Sequence, residues 1–115
     1  MDPVPPHKPL AYSERLTIGW RHGVRLFEGG KTFATAGIGE RFGDIDLSWA
    51  LEAHYSGYWG TVCEEDWNTN NEALANGTRL MSVFPTRDRS GWLTDIWVIT
   101  DADRAVTTIL LPEEY

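Results

Sequence analysis

Hydrophobic and polar positions alternate most clearly in the last third of the chain. Three runs there read as strands: Arg79–Phe84, Asp95–Thr100 and Val106–Leu111. The middle run, Ile96-Trp97-Val98-Ile99, is β-branched and aromatic, which suits a largely buried pleated surface. Asp101-Ala102-Asp103-Arg104 separates it from the third and has the length of a tight antiparallel hairpin. Between the first two lies Pro85–Thr94, too long for a simple turn and carrying Arg87, Asp88, Arg89 and Trp92. Loops of that length in small domains are often functional.

Upstream the period changes from two to 3.6. Leu47, Ala50, Leu51 and His54 recur at i, i+3, i+4 and i+7, predicting a helix over Leu47–Tyr55 capped by Asp44 or Asp46 and stopped at Gly57. His54 falls on or beside its inward face. Thr61-Val62-Cys63-Glu64 fits a capping box and opens a second helix to about Ala75, closed by a left-handed residue at Asn76-Gly77. Its apolar face is thin: Cys63, Trp67 and Leu74, with Asn70 and Ala73 between them. An amide buried at Asn70 needs partners, because leaving it unpaired costs about 1–3 kcal/mol. A tie to a strand edge or to the Trp59-Gly60 turn would supply them.

The first 45 residues are less regular. Pro3, Pro5, Pro6 and Pro9 predict a flexible arm over residues 1–11. Leu16, Ile18 and Trp20 alternate within Tyr12–Trp20, which reads as a strand, followed by a turn at His22-Gly23. Val24–Phe27 and Thr32–Thr35 read as a hairpin closed near Gly29-Gly30. Gly37, Gly39 and Gly43 read as a connector; Gly37-Ile38-Gly39 lacks the Lys-Ser/Thr pair of a phosphate loop. The expectation is one α+β domain over residues 12–115. It has a mostly antiparallel sheet, two short helices packed on one face through Leu47, Leu51, Trp67 and Leu74, and a C-terminal three-stranded meander.

Composition sharpens this picture. Of 115 residues 42% are apolar and six are tryptophan, enough apolar surface to offset chain entropy. The net charge of −7 is concentrated: residues 32–78 set eight carboxylates against one arginine. Such a field repels nucleic-acid phosphates, so direct DNA binding is not expected. The acidic face of the second helix, Glu64, Glu65, Asp66 and Glu72, suits a basic protein partner instead, or simply solvation. An Arg-Trp tip at Arg87, Arg89 and Trp92 is a second candidate contact, since Trp and Arg dominate interface hot spots. Cys63 is the single cysteine, which fits a reducing, cytoplasmic setting. Neither a signal-peptide pattern nor a membrane-spanning run is seen.

Candidate chemistry is sparse. His54 can serve acid–base work near neutrality, Asp66, Asp101 and Asp103 are carboxylates that could partner it, and Arg79 and Arg104 can hold an anion. Thr107 and Thr108 supply hydroxyls next to Arg104, and with Thr108 these residues would make a metal-free phosphodiester chemistry of nuclease or toxin type. The bland alternative packs His54 between helix and sheet, leaves Asp101 and Asp103 as turn residues and pairs Arg104 with one of them. His7, His22 and His54 are too dispersed for a metal motif, and no cofactor signature is present.

Several strings together resemble a family of small bacterial proteins carried on plasmids and prophages. They are His54-Tyr55-Ser56-Gly57-Tyr58-Trp59-Gly60, Asp66…Asn70…Ala73-Leu74…Gly77…Arg79-Leu80-Met81-Ser82, Ile96–Arg104, and Thr107-Thr108-Ile109-Leu110-Leu111-Pro112-Glu113-Glu114-Tyr115. The resemblance covers residues 47–115. Members are labelled plasmid-related protein or type I restriction methylase subunit. This chain lacks methyltransferase motifs and is too short for that fold. The resemblance implies a mobile-element accessory protein, and the acidic segment suggests one that inhibits a host nucleic-acid-handling defence complex, of anti-CRISPR or anti-restriction type. The alternatives are the small enzyme above and a homodimeric interaction protein pairing through an exposed strand edge.

Overall fold

The computed structural model describes residues 9–18 and 25–115. Within them the chain is an α+β fold. Helix α1 (Tyr12–Ile18) is followed by strand β1 (Lys31–Ala34), then α2 (Ala36–Arg41), α3 (Asp44–Tyr55) and α4 (Glu64–Asn76). Strands β2 (Leu80–Arg87), β3 (Leu93–Thr100) and β4 (Val106–Leu110) end the fold, with a 3-10 turn at Pro112–Glu114.

The sheet order is β1-β4-β3-β2. The last three strands form the expected antiparallel meander, with Val83 opposite Trp97 and Trp97 opposite Leu110. The sheet as a whole is mixed, because β1 runs parallel to β4, Phe33 opposite Thr108. The expected hairpin of residues 24–27 with 32–35 is therefore replaced. Residues 25–28 are not a strand, and β1 takes its hydrogen bonds from β4 instead, Lys31 N donating to Ala105 O and Thr35 N to Ile109 O.

Three other expectations change for physical reasons. Tyr12–Ile18 is helical, not extended, because Tyr12 and Arg15, one turn apart, both lie against Trp67. The expected strand's end at Trp20 and the His22-Gly23 turn lie outside the described residues. Residues 36–41 form a helix in place of a glycine connector, since Ile38 and the following Phe42 are buried in the core. The expected capping box at Thr61 is absent. Cys63 is the N-cap of α4, and the Thr61 hydroxyl donates to Val83 O. Gly77 closes α4 in the left-handed region, φ 73°, as expected.

Apolar side chains gather in two clusters on the helix-covered face. Ile38, Phe42, Ala50, Ala53, Phe84, Ile96, Val98, Ile109 and Leu111 form one, with Leu47 and Leu51 packed on it. Trp59, Val62, Trp67, Ala73 and Leu80 form the other, together with Leu10. Leu10 is buried, and its carbonyl accepts from Trp67 Nε1 and Asn71 Nδ2, so the described end of the expected arm is tied down; residues 1–8 of it lie outside the described residues. Each large apolar side chain so buried is worth about 1.5–3 kcal/mol.

Candidate functional site

Strand alternation aims three hydroxyls into the helix-covered face: Ser82, Thr100 and Thr107, all fully buried. Thr107 stands out in the sequence together with its neighbour Thr108, whereas Ser82 and Thr100 do not. Polar residues at inward positions of otherwise apolar strands were the signal available for them. His54 projects onto this row from α3. Its Nδ1 lies 2.6 Å from Ser82 Oγ and its Nε2 lies 2.9 Å from Thr100 Oγ1. Thr100 and Thr107 hydroxyls are 2.8 Å apart, and Thr107 donates to Gly29 O at 2.8 Å.

That last contact sets the direction of the whole chain. A carbonyl can only accept, so Thr107 donates to Gly29 and accepts from Thr100. Thr100 then accepts from His54 Nε2–H, and His54 Nδ1 accepts from Ser82. Every member is satisfied with the imidazole neutral. Phe27, Tyr55 and Trp59 enclose the ring with centroids 5.3, 5.9 and 5.6 Å away. Burial, with a smaller push from Arg104, lowers the His54 pKa to about 3.

Arg104 is engaged elsewhere. Its Nη2 donates to Ala73 O, and its Nη1 donates to Thr78 O at 2.7 Å and to the Asp101 and Ala102 carbonyls. It clamps the β3–β4 turn to the C-terminal end of α4 from a left-handed backbone, φ 61°. It bonds carbonyls, not the carboxylates of Asp101 or Asp103; Asp103 accepts from Ala105 N as a turn residue. Arg79 lies on the opposite face of the sheet, donating to Tyr115 Oη at 2.6 Å. Thr108 faces that side too, opposite Phe33 and Ile99. The sheet therefore separates His54 and Arg104 from Arg79 and Thr108, and His54 is 0% exposed.

The acidic residues fall otherwise. Glu64, Glu65, Asp66 and Glu72 are all exposed along α4. None takes part in an ion pair between described residues, such as Arg25–Glu28 or Arg41–Glu113. At 100° per residue Glu65 and Glu72 share one outward stripe. Asp66 turns toward β2 and, with Arg79, Met81 and Val83, lines a groove of about 300 Å3. Cys63, read from the sequence as part of the thin apolar face of this helix, is exposed at its head.

The second patch lies at the other end of β2, seven residues and roughly 23 Å away at about 3.3 Å per residue. Here β2 and β3 run on to Arg87 and Leu93, so the expected ten-residue loop shrinks to Asp88–Trp92. Asp88 organises it: Oδ1 accepts from Ser90 N, Ser90 Oγ and Trp92 N, and Oδ2 from Thr94 Oγ1. These bonds, Ser90 foremost, hold its pKa at about 2. Arg87 donates to Gly91 O and Arg89 to Phe42 O, so both guanidiniums brace the loop, while Trp92 remains 75% exposed.

Among the described residues no group of His, Cys, Asp and Glu side chains is arranged to hold a metal, and no helix is long and apolar enough to cross a membrane. Comparison with family models, with curated proteins and with solved structures finds no match.

Proposed function

We propose that the protein acts by binding another protein, with the exposed carboxylates of α4 as the contact and a basic, nucleic-acid-handling surface as the target. The observation that carries this reading is the set of exposed carboxylates at Glu64, Glu65, Asp66 and Glu72, uncancelled by any ion pair among the described residues. Such a face competes for a groove that normally holds phosphates, using the electrostatics that bind nucleic acid. The resemblance to plasmid- and prophage-borne proteins supports a host defence complex, of CRISPR or restriction type, as the owner of that groove. The exposed Trp92 tip supplies a second, separate contact. A nuclease built on His54, Arg79, Arg104 and Thr108 gains no support from side chains on opposite faces of a sheet.

The test is capture from a bacterial lysate by the tagged protein and by a variant with all four carboxylates changed to lysine. Circular dichroism verifies that both are folded. Capture of a nucleic-acid-binding complex that weakens steeply with salt and vanishes in the variant supports the reading. Undiminished capture by the variant rejects it.

A further inference from the structure

The two edges of the sheet are treated differently. Along β2 the odd-numbered residues turn their backbone groups outward, and those of the first two, Met81 and Val83, are fully paired. Met81 exchanges two bonds with the Asn70 side chain, Val83 exchanges two with Trp59 and Thr61, and Pro85 has no N–H. Along β1 the inward donors are Lys31 and Thr35, which bond β4, so Thr32 and Ala34 turn their N–H and C=O groups away from the sheet. No backbone partner for that side exists among the described residues, and all four residues of β1 are exposed.

We propose that β1 pairs with β1 of a second copy, antiparallel about a two-fold axis, extending the sheet to eight strands. The outward positions dictate the register. Thr32 of one copy meets Ala34 of the other in hydrogen-bonded pairs, so Phe33 faces its own counterpart on the axis. Phe33 is 54% exposed in the single chain, and the close, non-hydrogen-bonded site suits an aromatic pair.

The same register sets Lys31 opposite Thr35 of the second copy. The Thr35 hydroxyl is bonded to the Glu114 carboxylate, which also accepts from Gly37 N and Leu111 N. Lys31 and Glu114 lie on the same uncovered face of the sheet, the one where Tyr115 meets Trp97. Each ammonium thus arrives at a carboxylate already fixed in place, twice per dimer. The aromatic contact at the centre and opposite charges at both ends select a second copy over an arbitrary extended peptide.

The experiment is sedimentation equilibrium on the full chain over a wide concentration range, at about 0.15 M salt or above so that the −7 charge of each copy is screened. The expected mass rises from 13.0 kDa to twice that value. Ala34→Pro, which removes only an outward N–H, and Lys31→Glu each weaken association by about tenfold or more. Phe33→Cys, in a Cys63→Ser background, cross-links to itself on mild oxidation. The spacing there, about 4.5 Å between Cα atoms, lies within disulfide range. A chain that stays monomeric throughout overturns the proposal. So does a dimer that is indifferent to Ala34→Pro and whose Phe33→Cys variant fails to cross-link.

Discussion

The sealed β2 edge and the open β1 edge frame a single sheet, and they differ in what the chain has invested. β2 is guarded by three unrelated devices: a side-chain amide from a helix, a stretch of backbone laid alongside at Trp59–Thr61, and a proline. Exposed edges invite pairing with other chains, and natural sheets blunt them in such ways. Among the described residues β1 carries none of these, although it is short. The contrast locates where the molecule is closed to other strands and where it is receptive.

The largest effect is expected from removing the backbone guard. Gly60 sits at φ 77°, and a Cβ there would collide with Val83 O. Gly60→Ala is expected to cost about 4 kcal/mol in urea unfolding and to expose Val83 to amide exchange. Asn70→Leu comes next. It strands the N–H and C=O of Met81, and a loss of about 3 kcal/mol should follow. If the amide were a bystander, the leucine would be neutral or stabilising.

The polar row between the edges responds to pH instead. His54 is neutral in the folded protein down to about pH 3, but its unfolded form takes up a proton below its ordinary pKa of 6.5. Stability from this source is thus level above pH 6.5 and falls steadily as the pH drops from there toward 3. By pH 5 the loss is about 2 kcal/mol, and His54→Phe should remove that part of the slope in urea titrations at several pH values. The smallest effect belongs to the open edge. Ala34→Pro should change the unfolding free energy of the dilute chain by less than about 0.5 kcal/mol, even as it weakens association.

Much of this was legible beforehand. The meander, both longer helices and the tie of Asn70 to a strand edge follow from short-range pattern and from the cost of an unpaired amide. The acidic face followed from charge spacing on one helix. The strand at residues 32–35 was legible but its partner was not, and residues 12–18 and 36–41 did not read as helices, because these features are set by distant groups: Trp67 for α1, β4 for β1, and the core around Leu111 for Ile38 and Phe42. Alternation over three apolar positions is too short to distinguish a strand from two turns of helix. The candidate catalytic set failed to assemble for a related reason. His54 and Thr107 were brought together by strand parity, and parity sent Thr108 to the other face.

By itself, then, the amino-acid order determined how the C-terminal meander pairs, where the two longer helices stop and where negative charge collects, since those depend on neighbours close in the chain. Only the tertiary structure decided that His54 is an enclosed, neutral link in a hydrogen-bonded row, that Arg104 is a clamp, and that one sheet edge is sealed while the other is open. Each of those outcomes depends on groups far apart in the chain, and for His54 they meet in a space from which water is excluded, where an unpaired polar atom is too costly to leave.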